Sequence, residues 1–290
     1  MSGSGARACA RRRGMQQCAC HIARAAWRHP GNPVLPIIAD PWFWVLAIPA
    51  VLITGITKGG FASGAGNAMV PLMSLVIPAP QAAGVALPLL CAMDIASLRA
   101  WWGRWSVKEL WAIMPGGLVG VAIGVAVFGL MSDAAVKLMV GAIAIIFLAR
   151  SLWQSRPGRV TPPPAESSHA RGGFWGMLSG LTSTIAHAGG PPLAVYLYPL
   201  RLDRAVLAAT TVVFFGVVNY VKLVPYYFLG QLSVTNVLTS LLLFPLVPVG
   251  VRLGIWLQGR MSDRLFYRIV YAMLAVSGSK LIYDGVKGLL

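Results

Sequence analysis

The sequence predicts an all-α polytopic membrane protein, arranged as an inverted repeat of two units. Three observations lead to this fold class: the composition, the lengths of the apolar runs and an internal duplication. Of the 290 residues, 57% are apolar and only 11% are charged, whereas a soluble domain carries about 25% charged residues. So few charges cannot cover a soluble surface of this size. The composition therefore excludes a soluble enzyme, a disordered chain and a secreted disulfide scaffold.

The charge balance agrees with a membrane protein. Lys and Arg total 24 against 8 Asp and Glu, which gives a net charge of +16. The basic residues lie mostly between the apolar runs, where the cytoplasmic loops of membrane proteins collect Lys and Arg. We therefore expect a lipid bilayer as the partner of this chain, and no nucleic acid.

Several apolar runs have lengths close to the roughly 20 residues that a helix needs to cross a ~30 Å hydrocarbon core. The long runs are 42–57, 81–102, 110–131, 134–153, 172–186, 205–229, 234–257 and 265–289. Two shorter pieces, 67–77 and 191–200, follow glycines and have a proline at or near both ends. We predict that each unit has four long transmembrane helices and one short, broken or re-entrant helix. Such irregular backbone is tolerated at membrane depth only inside protein or beside a wet cavity.

The polar segments set the predicted domain boundaries. Residues 1–33 contain six arginines and no apolar run of adequate length, so they predict a flexible basic N-terminal arm. Residues 154–171 are polar and proline-rich, which predicts a cytoplasmic linker. This linker separates a first transmembrane repeat at 34–153 from a second at 172–290. We expect no metal and no cofactor, because the Cys-rich stretch in the arm lacks a second pair of ligands.

The duplication shows in the segment 115–133, which recurs without a gap as 245–263. The loop after the second long run is basic in the first half and uncharged in the second. The turn after the third run is nearly neutral in the first half, whereas the corresponding stretch 252–268 of the second half holds four arginines. Because Lys and Arg accumulate in cytoplasmic loops, corresponding loops lie on opposite sides of the membrane. This is the inverted repeat of many secondary transporters.

This orientation has one conflict. The basic segments that it places on the cytoplasmic side are 99–108, 150–171, 201–204 and 252–268. It also places the arginine-rich arm outside, so either the arm is not part of the mature protein or the first span is misassigned. Tyr226 and Tyr227 are predicted to anchor their helix at the membrane interface.

Glycine-rich stretches introduce both short pieces. A helix that begins in such a stretch points unsatisfied N–H groups and a partial positive charge into the gap. Lys58 in one half and His187 in the other add positive charge beside the glycines. We predict a substrate-binding anion site near the midplane; the alternative is that the glycines only allow close helix packing. The candidate residues here are Lys58, Gly59, Gly60, Ser63, Gly64, Asn67, Thr184, His187, Gly189 and Gly190.

A second constellation lies on the helices that follow the short pieces. The repeat aligns Asp94 with Asn219 and Ser97 with Lys222, and the spacing of three residues puts each half's two residues on one helix face. An unpaired charge at the bilayer centre costs at least ~2.5–3.5 kcal/mol, so we expect Asp94 to pair with Lys222 inside the bundle. This pair is either purely structural, or Lys222 and Asn219 help to hold the anion while Asp94 or His187 takes the coupling proton.

These motifs resemble those of the TauE/SafE family of sulfite exporters, also called the 4-toluene sulfonate uptake permease family, over about residues 42–288. The resemblance rests on KGGFASGAG at 58–66 followed by VPL, on LPLLCAMD at 87–94, on HAGGPP at 187–192 and on NYVK at 219–222. It implies an inner-membrane carrier for sulfur-containing anions such as sulfite or organosulfonates, driven by the proton gradient.

Together these observations predict a multi-pass protein of the plasma (inner) membrane and no enzyme. We expect a secondary transporter that exports a small anionic substrate, with alternating access to a midplane site at the repeat interface and proton coupling. An anion channel of the same fold and a non-transporting membrane scaffold are the alternatives. A homo-oligomer is a further expected partner.

Overall fold

The structure is a computed structural model that describes residues 37–60, 68–128, 130–154, 165–257, 260 and 263–290. Within these ranges the chain forms helices and no strand, as the sequence predicts. The basic arm predicted at 1–33 and most of the predicted linker, 155–164, lie outside the described residues.

The helices follow the predicted apolar runs. In chain order they are α1 (Pro41–Gly60), α2 (Met69–Met73), α3 (Ala79–Ala100), α4 (Val107–Phe128), α5 (Asp133–Gln154), α6 (His169–Ala186), α7 (Gly190–Leu197), a 3-10 turn (Tyr198–Leu200), α8 (Arg204–Phe228), α9 (Val234–Leu243), α10 (Leu246–Leu257) and α11 (Asp263–Leu289). Each long run corresponds to one helix, except that the run 234–257 is divided between α9 and α10. Both short pieces contain a short helix.

Side chains at the starts of three helices explain where those helices begin. Ser168, Asp203 and Ser233 each accept a hydrogen bond from an N–H of the following first turn, in α6, α8 and α9 respectively. These N–H groups have no partner within the helix, so a polar cap stabilises the boundary by about 1 kcal/mol.

The duplicated proline has a different effect in each copy. Pro115 lies inside the continuous helix α4, whereas Pro245, which aligns with it, lies at the break where α9 and α10 bend by 44°. Proline removes one helical hydrogen bond, and its ring crowds the carbonyl four residues earlier. The second copy has another proline, Pro248, where the first has a leucine. Two prolines within one turn account for the bend.

Among the described helices, four are long and apolar enough to cross a membrane, namely Pro41–Gly59, Ala79–Ala100, Val107–Phe128 and Ala205–Phe228, and the bent α9–α10 pair makes a fifth if it is one span. The chain is therefore an integral multi-pass membrane protein. The remaining long helices, α5, α6 and α11, contain more charged or small polar residues. The larger number of crossings expected from the sequence stays a prediction.

The most extensive helix contacts join the first half of the chain to the second. Helix α1 packs on α10, α4 on α6, α3 on α8 and α5 on α11. Glycines bring the α4–α6 backbones together: a Cβ on Gly120 would lie 2.0 Å from the Met177 carbonyl oxygen, and one on Gly180 would lie 2.1 Å from that of Gly117. Small residues that permit close backbone approach are typical of helix packing in membranes.

The short helices lie inside the protein. All five residues of α2 are buried, as are Pro192, Leu193, Tyr196 and Leu197 of α7. At about 1.5 Å of rise per residue, α2 is too short to cross a bilayer. Their burial confirms the expectation that such backbone is enclosed by protein.

Candidate functional site

The centre of the bundle contains a buried carboxylate with two partners from other helices. Asp94, on α3, is 3% exposed. Lys58, in the last turn of α1, donates a hydrogen bond to Oδ1, which makes a salt bridge. Asn219, on α8, donates from Nδ2 to Oδ2 at 2.6 Å. Both carboxylate oxygens are therefore occupied, and the two residues that the repeat aligns, Asp94 and Asn219, contact each other.

The expected Asp94–Lys222 pair is wrong. The Nζ of Lys222 instead donates to the carbonyl oxygen of Ser183 at 2.9 Å and to its Oγ at 3.0 Å, and lies 2.9 Å from Nδ1 of His187. Two physical reasons account for the difference. Lys58 already neutralises Asp94, and the last turn of α6 offers carbonyl groups with partial negative charge, which attract a cation.

The hydrogen bonds of His187 define its tautomer. Its Nε2 lies 3.0 Å from the carbonyl oxygen of Ala83, which accepts only, so Nε2 carries the proton. Nδ1 then accepts from the Lys222 ammonium. In this arrangement His187 is neutral, because a second proton on the ring would face the Lys222 amino group directly. His187 ends α6 with a positive φ of 50°.

Aromatic rings pack around this part of the site. The Tyr226 hydroxyl donates to the carbonyl oxygen of Thr184. Its ring stacks on Phe128, with centroids 5.8 Å apart, and lies at the same centroid distance from the His187 ring. The prediction that Tyr226 anchors the helix at the interface is wrong, because the residue is completely buried. Its neighbour Tyr227 is 68% exposed, and its place at the membrane interface stays a prediction.

The predicted site residues divide into three groups. Lys58, Asp94 and Asn219 form one set of contacts, and His187 and Lys222 form another, with Asn219 and Lys222 one turn apart on α8. Thr184 is adjacent to the second set, since its carbonyl accepts from Tyr226 while its Oγ1 donates to the Gly180 carbonyl at 2.9 Å. Ser63, Gly64 and Asn67 lie outside the described residues.

The glycines of the predicted site lie where backbones pack closely. A Cβ on Gly59 would lie 2.2 Å from the carbonyl oxygen of Val251 on α10, and one on Gly189 would lie 2.5 Å from that of Ser179 on α6. Gly60 is the last residue of α1, and Gly190 is the first of α7. Gly59 and Gly189 therefore allow close helix packing, which is the alternative given above for the glycines. A contact of either residue with a substrate stays a prediction.

Sequence reasoning missed three members of this cluster. Ser183 lies four residues before His187, and Tyr226 lies four residues after Lys222, so helical spacing puts each on the same face as a predicted site residue. That spacing was the available signal for both. The sequence gives no signal for the carbonyl group of Ala83, because every residue has a backbone carbonyl. The packing of α3 against α6 alone determines that this carbonyl contacts His187.

The charges of the cluster do not balance. When both lysines are protonated and His187 is neutral, Lys58 and Lys222 contribute two positive charges and Asp94 one negative charge, so the described residues of the cluster then carry a net charge of +1. Lys222 is fully buried, and the Lys58 side chain is 18% exposed. Uncompensated charge is costly in a low-dielectric interior. The cluster therefore favours a bound anion, and Lys58 is the more accessible of its two cations.

A family model described as sulfite exporter TauE/SafE matches residues 47–281, which include all the described residues of this cluster. No curated protein and no solved structure is significantly similar to the chain.

Proposed function

The chain belongs to the sulfite exporter TauE/SafE family, and from this premise we propose that it carries small sulfur-containing anions, sulfite or organosulfonates, across the inner membrane by alternating access. Members of the family are membrane transporters of sulfite or related anions and not enzymes. The observation that carries the proposal for this chain is the buried cluster of two lysines and one carboxylate between α1, α3, α6 and α8.

The contacts between the halves support an inverted repeat. By position along the chain, α1 corresponds to α6, α3 to α8, α4 to the α9–α10 pair and α5 to α11. Helix α1 packs on α10, which belongs to the counterpart of α4, and α4 packs on α6, the counterpart of α1. Helix α3 packs on its own counterpart α8, and α5 packs on its own counterpart α11. Two units related by a two-fold axis produce this reciprocal pattern, which many secondary transporters use for alternating access.

Lys58 is the residue on which the anion acts in this proposal. Among the described residues its one hydrogen-bond partner is Asp94, so an arriving anion competes with Asp94 for the ammonium group. When Lys58 turns to the anion, Asp94 keeps only the bond from Asn219 and loses its counterion. A buried carboxylate without a counterion favours its protonated form. Anion binding thereby promotes proton binding at Asp94.

The competing candidate for the coupling proton is His187. Its ring already donates to Ala83 and accepts from Lys222, so it gains a proton only if Lys222 moves away or loses its own. Asp94 requires only the release of Lys58, which is partly exposed. The proposal therefore assigns the coupling proton to Asp94, and the His187–Lys222 pair keeps a fixed positive charge next to the anion.

Flux measurements in proteoliposomes of the full chain test this function. We expect saturable flux of sulfite or an organosulfonate that responds to an imposed pH gradient. Lys280→Met is a matched control, because Lys280 is an exposed lysine of α11 that pairs with Asp284. The absence of flux for sulfite, sulfonates and other small oxyanions would indicate a scaffold. Currents far above carrier turnover would indicate a channel.

Two variants separate the candidate proton carriers. Asp94→Asn should retain anion flux but lose its dependence on the pH gradient, because an amide keeps the volume and cannot take up a proton. His187→Gln should retain the dependence. The reverse pattern would transfer the coupling role from Asp94 to His187.

A further inference from the structure

A cavity of about 780 Å³ lies between α3, α8 and α10, next to the charge cluster but not part of it. Its wall on α3 is a stripe at helical spacing that begins at Pro88 and Cys91 and continues through Ile95 to Arg99. Val247, Val251 and Ile255 form the facing stripe on α10, and Tyr220 and Leu223 contribute from α8. Almost the whole surface is apolar.

Two arginines are the exceptions. Arg99 and Arg252 both line the cavity, and both are exposed. Neither forms a salt bridge with a described carboxylate. Two guanidinium groups on the wall of one largely apolar cavity attract an anion to it, and guanidinium binds phosphate oxygens in bidentate fashion.

The length of the groove matches one leaflet of a bilayer. Pro88 lies near the middle of the 22-residue helix α3, and Arg99 lies near its end. At about 1.5 Å per residue the two are roughly 16 Å apart along the helix axis, which is close to half of a ~30 Å hydrocarbon core. The apolar wall therefore extends from the membrane interface to the midplane. Ile95 and Phe244, which are 53% and 46% exposed, line the same cavity.

We infer that this groove binds an anionic phospholipid, with an acyl chain along α3 and α10 and the phosphate between Arg99 and Arg252. Both arginines belong to the segments that the charge pattern places on the cytoplasmic side, where anionic headgroups attract basic residues. A hydrated oxyanion is the competing occupant. Away from the arginines, an oxyanion in the groove would contact Pro88, Leu223 and Val247, and these apolar side chains cannot replace its hydration shell.

The test is thermal unfolding of the purified full chain in detergent with added phosphatidylglycerol or phosphatidylcholine, which have the same acyl chains and different headgroup charge. A ligand that binds only the folded state raises the melting temperature. At saturating lipid we expect phosphatidylglycerol to raise it by about 5 °C more than phosphatidylcholine does. Soluble glycerol phosphate should give no such shift. Native mass spectrometry should find bound phosphatidylglycerol on the wild-type chain.

Variants connect the shift to the groove. R99Q/R252Q should lose the difference between the two lipids. The matched control R150Q/R171Q should keep it, because it removes the same charge from two exposed arginines that do not line the cavity. Ala96→Trp keeps both arginines but fills the groove, and it should also lose the difference. This variant tests the site independently of charge if R99Q/R252Q does not fold.

Three results would overturn the inference. One is an equal shift for both lipids with the wild-type chain. Another is a loss of the difference between the two lipids in R150Q/R171Q that is as large as the loss in R99Q/R252Q. That result would mean that lipid binding depends only on the total charge of the chain. The third is a full shift with glycerol phosphate alone, which would make the groove a site for soluble anions and not for lipid.

Discussion

The two lysines of the central cluster have opposite environments. Lys58 lies in the last turn of α1, is partly exposed and forms a salt bridge with Asp94. Lys222 lies six residues before the end of α8, is completely buried and has only neutral partners among the described residues, Ser183 and His187. The Lys58 pair is electrically neutral, and in our proposal a competing anion opens it. Lys222 has no carboxylate among its contacts, so nothing there cancels its charge when it is protonated.

The two lysines show that the role of a buried cation depends on its partners and not on its residue type alone. A cation with an anionic partner can exchange that partner for another anion at modest cost. A cation held by neutral acceptors cannot move without leaving those acceptors unsatisfied in a low-dielectric interior. In our proposal Lys58 is therefore the mobile group and Lys222 the fixed one. Four sets of variants test this comparison, in order of decreasing expected effect.

Lys222→Met should have the largest effect on stability. It leaves the Ser183 Oγ and the His187 Nδ1 without their shared donor, and although it also removes the cost of a buried charge, we expect the free energy of unfolding to fall by about 3 kcal/mol. Reversible unfolding in mixed micelles measures this change. Lys280→Met removes an exposed lysine and should change the free energy by no more than about 0.5 kcal/mol. If Lys222→Met proves as mild as Lys280→Met, Lys222 is not a fixed structural charge.

The Lys58–Asp94 pair should show an asymmetric double-mutant cycle. Lys58→Met strands a buried carboxylate and should cost about 2–3 kcal/mol of unfolding free energy, whereas Asp94→Asn leaves a lysine that water reaches in part and should cost less. The double variant should recover at least about 1 kcal/mol relative to the sum of the single variants. Strict additivity would show that the two side chains do not interact.

Gly59→Ala tests the close packing beside Lys58. Its Cβ would lie 2.2 Å from a backbone oxygen of Val251, which cannot rotate away, and we expect a loss of about 2 kcal/mol from overpacking. Gly173→Ala is the control, because its Cβ would meet its nearest neighbour at an ordinary 4.0 Å. The control should be neutral or more stable by up to about 1 kcal/mol, since alanine favours helix. Equal effects at both positions would refute the packing argument.

Tyr226→Phe should have the smallest effect. It removes the hydroxyl that donates to the Thr184 carbonyl and keeps the ring between Phe128 and His187. We expect a loss of about 1 kcal/mol in unfolding free energy. Tyr227→Phe, one residue away and exposed, should change nothing measurable. A larger loss at Tyr227 than at Tyr226 would contradict the buried role of Tyr226.

The helices themselves could be predicted because the signals for them are local. Runs of apolar residues of suitable length, with prolines and glycines between them, contain enough information to place each helix to within a few residues. The bend at Pro245 escaped this reasoning, although the second proline at 248 was visible in the sequence. Hydropathy does not register a bend, since all the residues around it are equally apolar.

The candidate site was predictable as a set of residues but not as a set of contacts. Intramembrane Asp94, Lys222, Lys58 and His187 stand out because charged and titratable groups are rare in such segments. Their partners depend on which helices pack together and at what depth, and the expected Asp94–Lys222 pair failed for this reason. The Ala83 carbonyl entered the cluster through that packing alone, whereas the helical spacing between Ser183 and His187 was a signal in the sequence.

The amino-acid sequence by itself determined the membrane environment, the helical class, the family and the identity of the buried charges, because each of these depends on composition or on neighbouring residues along one helix. Only the tertiary structure decided that Lys58 neutralises Asp94, that Lys222 rests on the end of α6, and that Arg99 and Arg252 share a groove. These are contacts between residues far apart in the chain, and their geometry follows from the packing of whole helices.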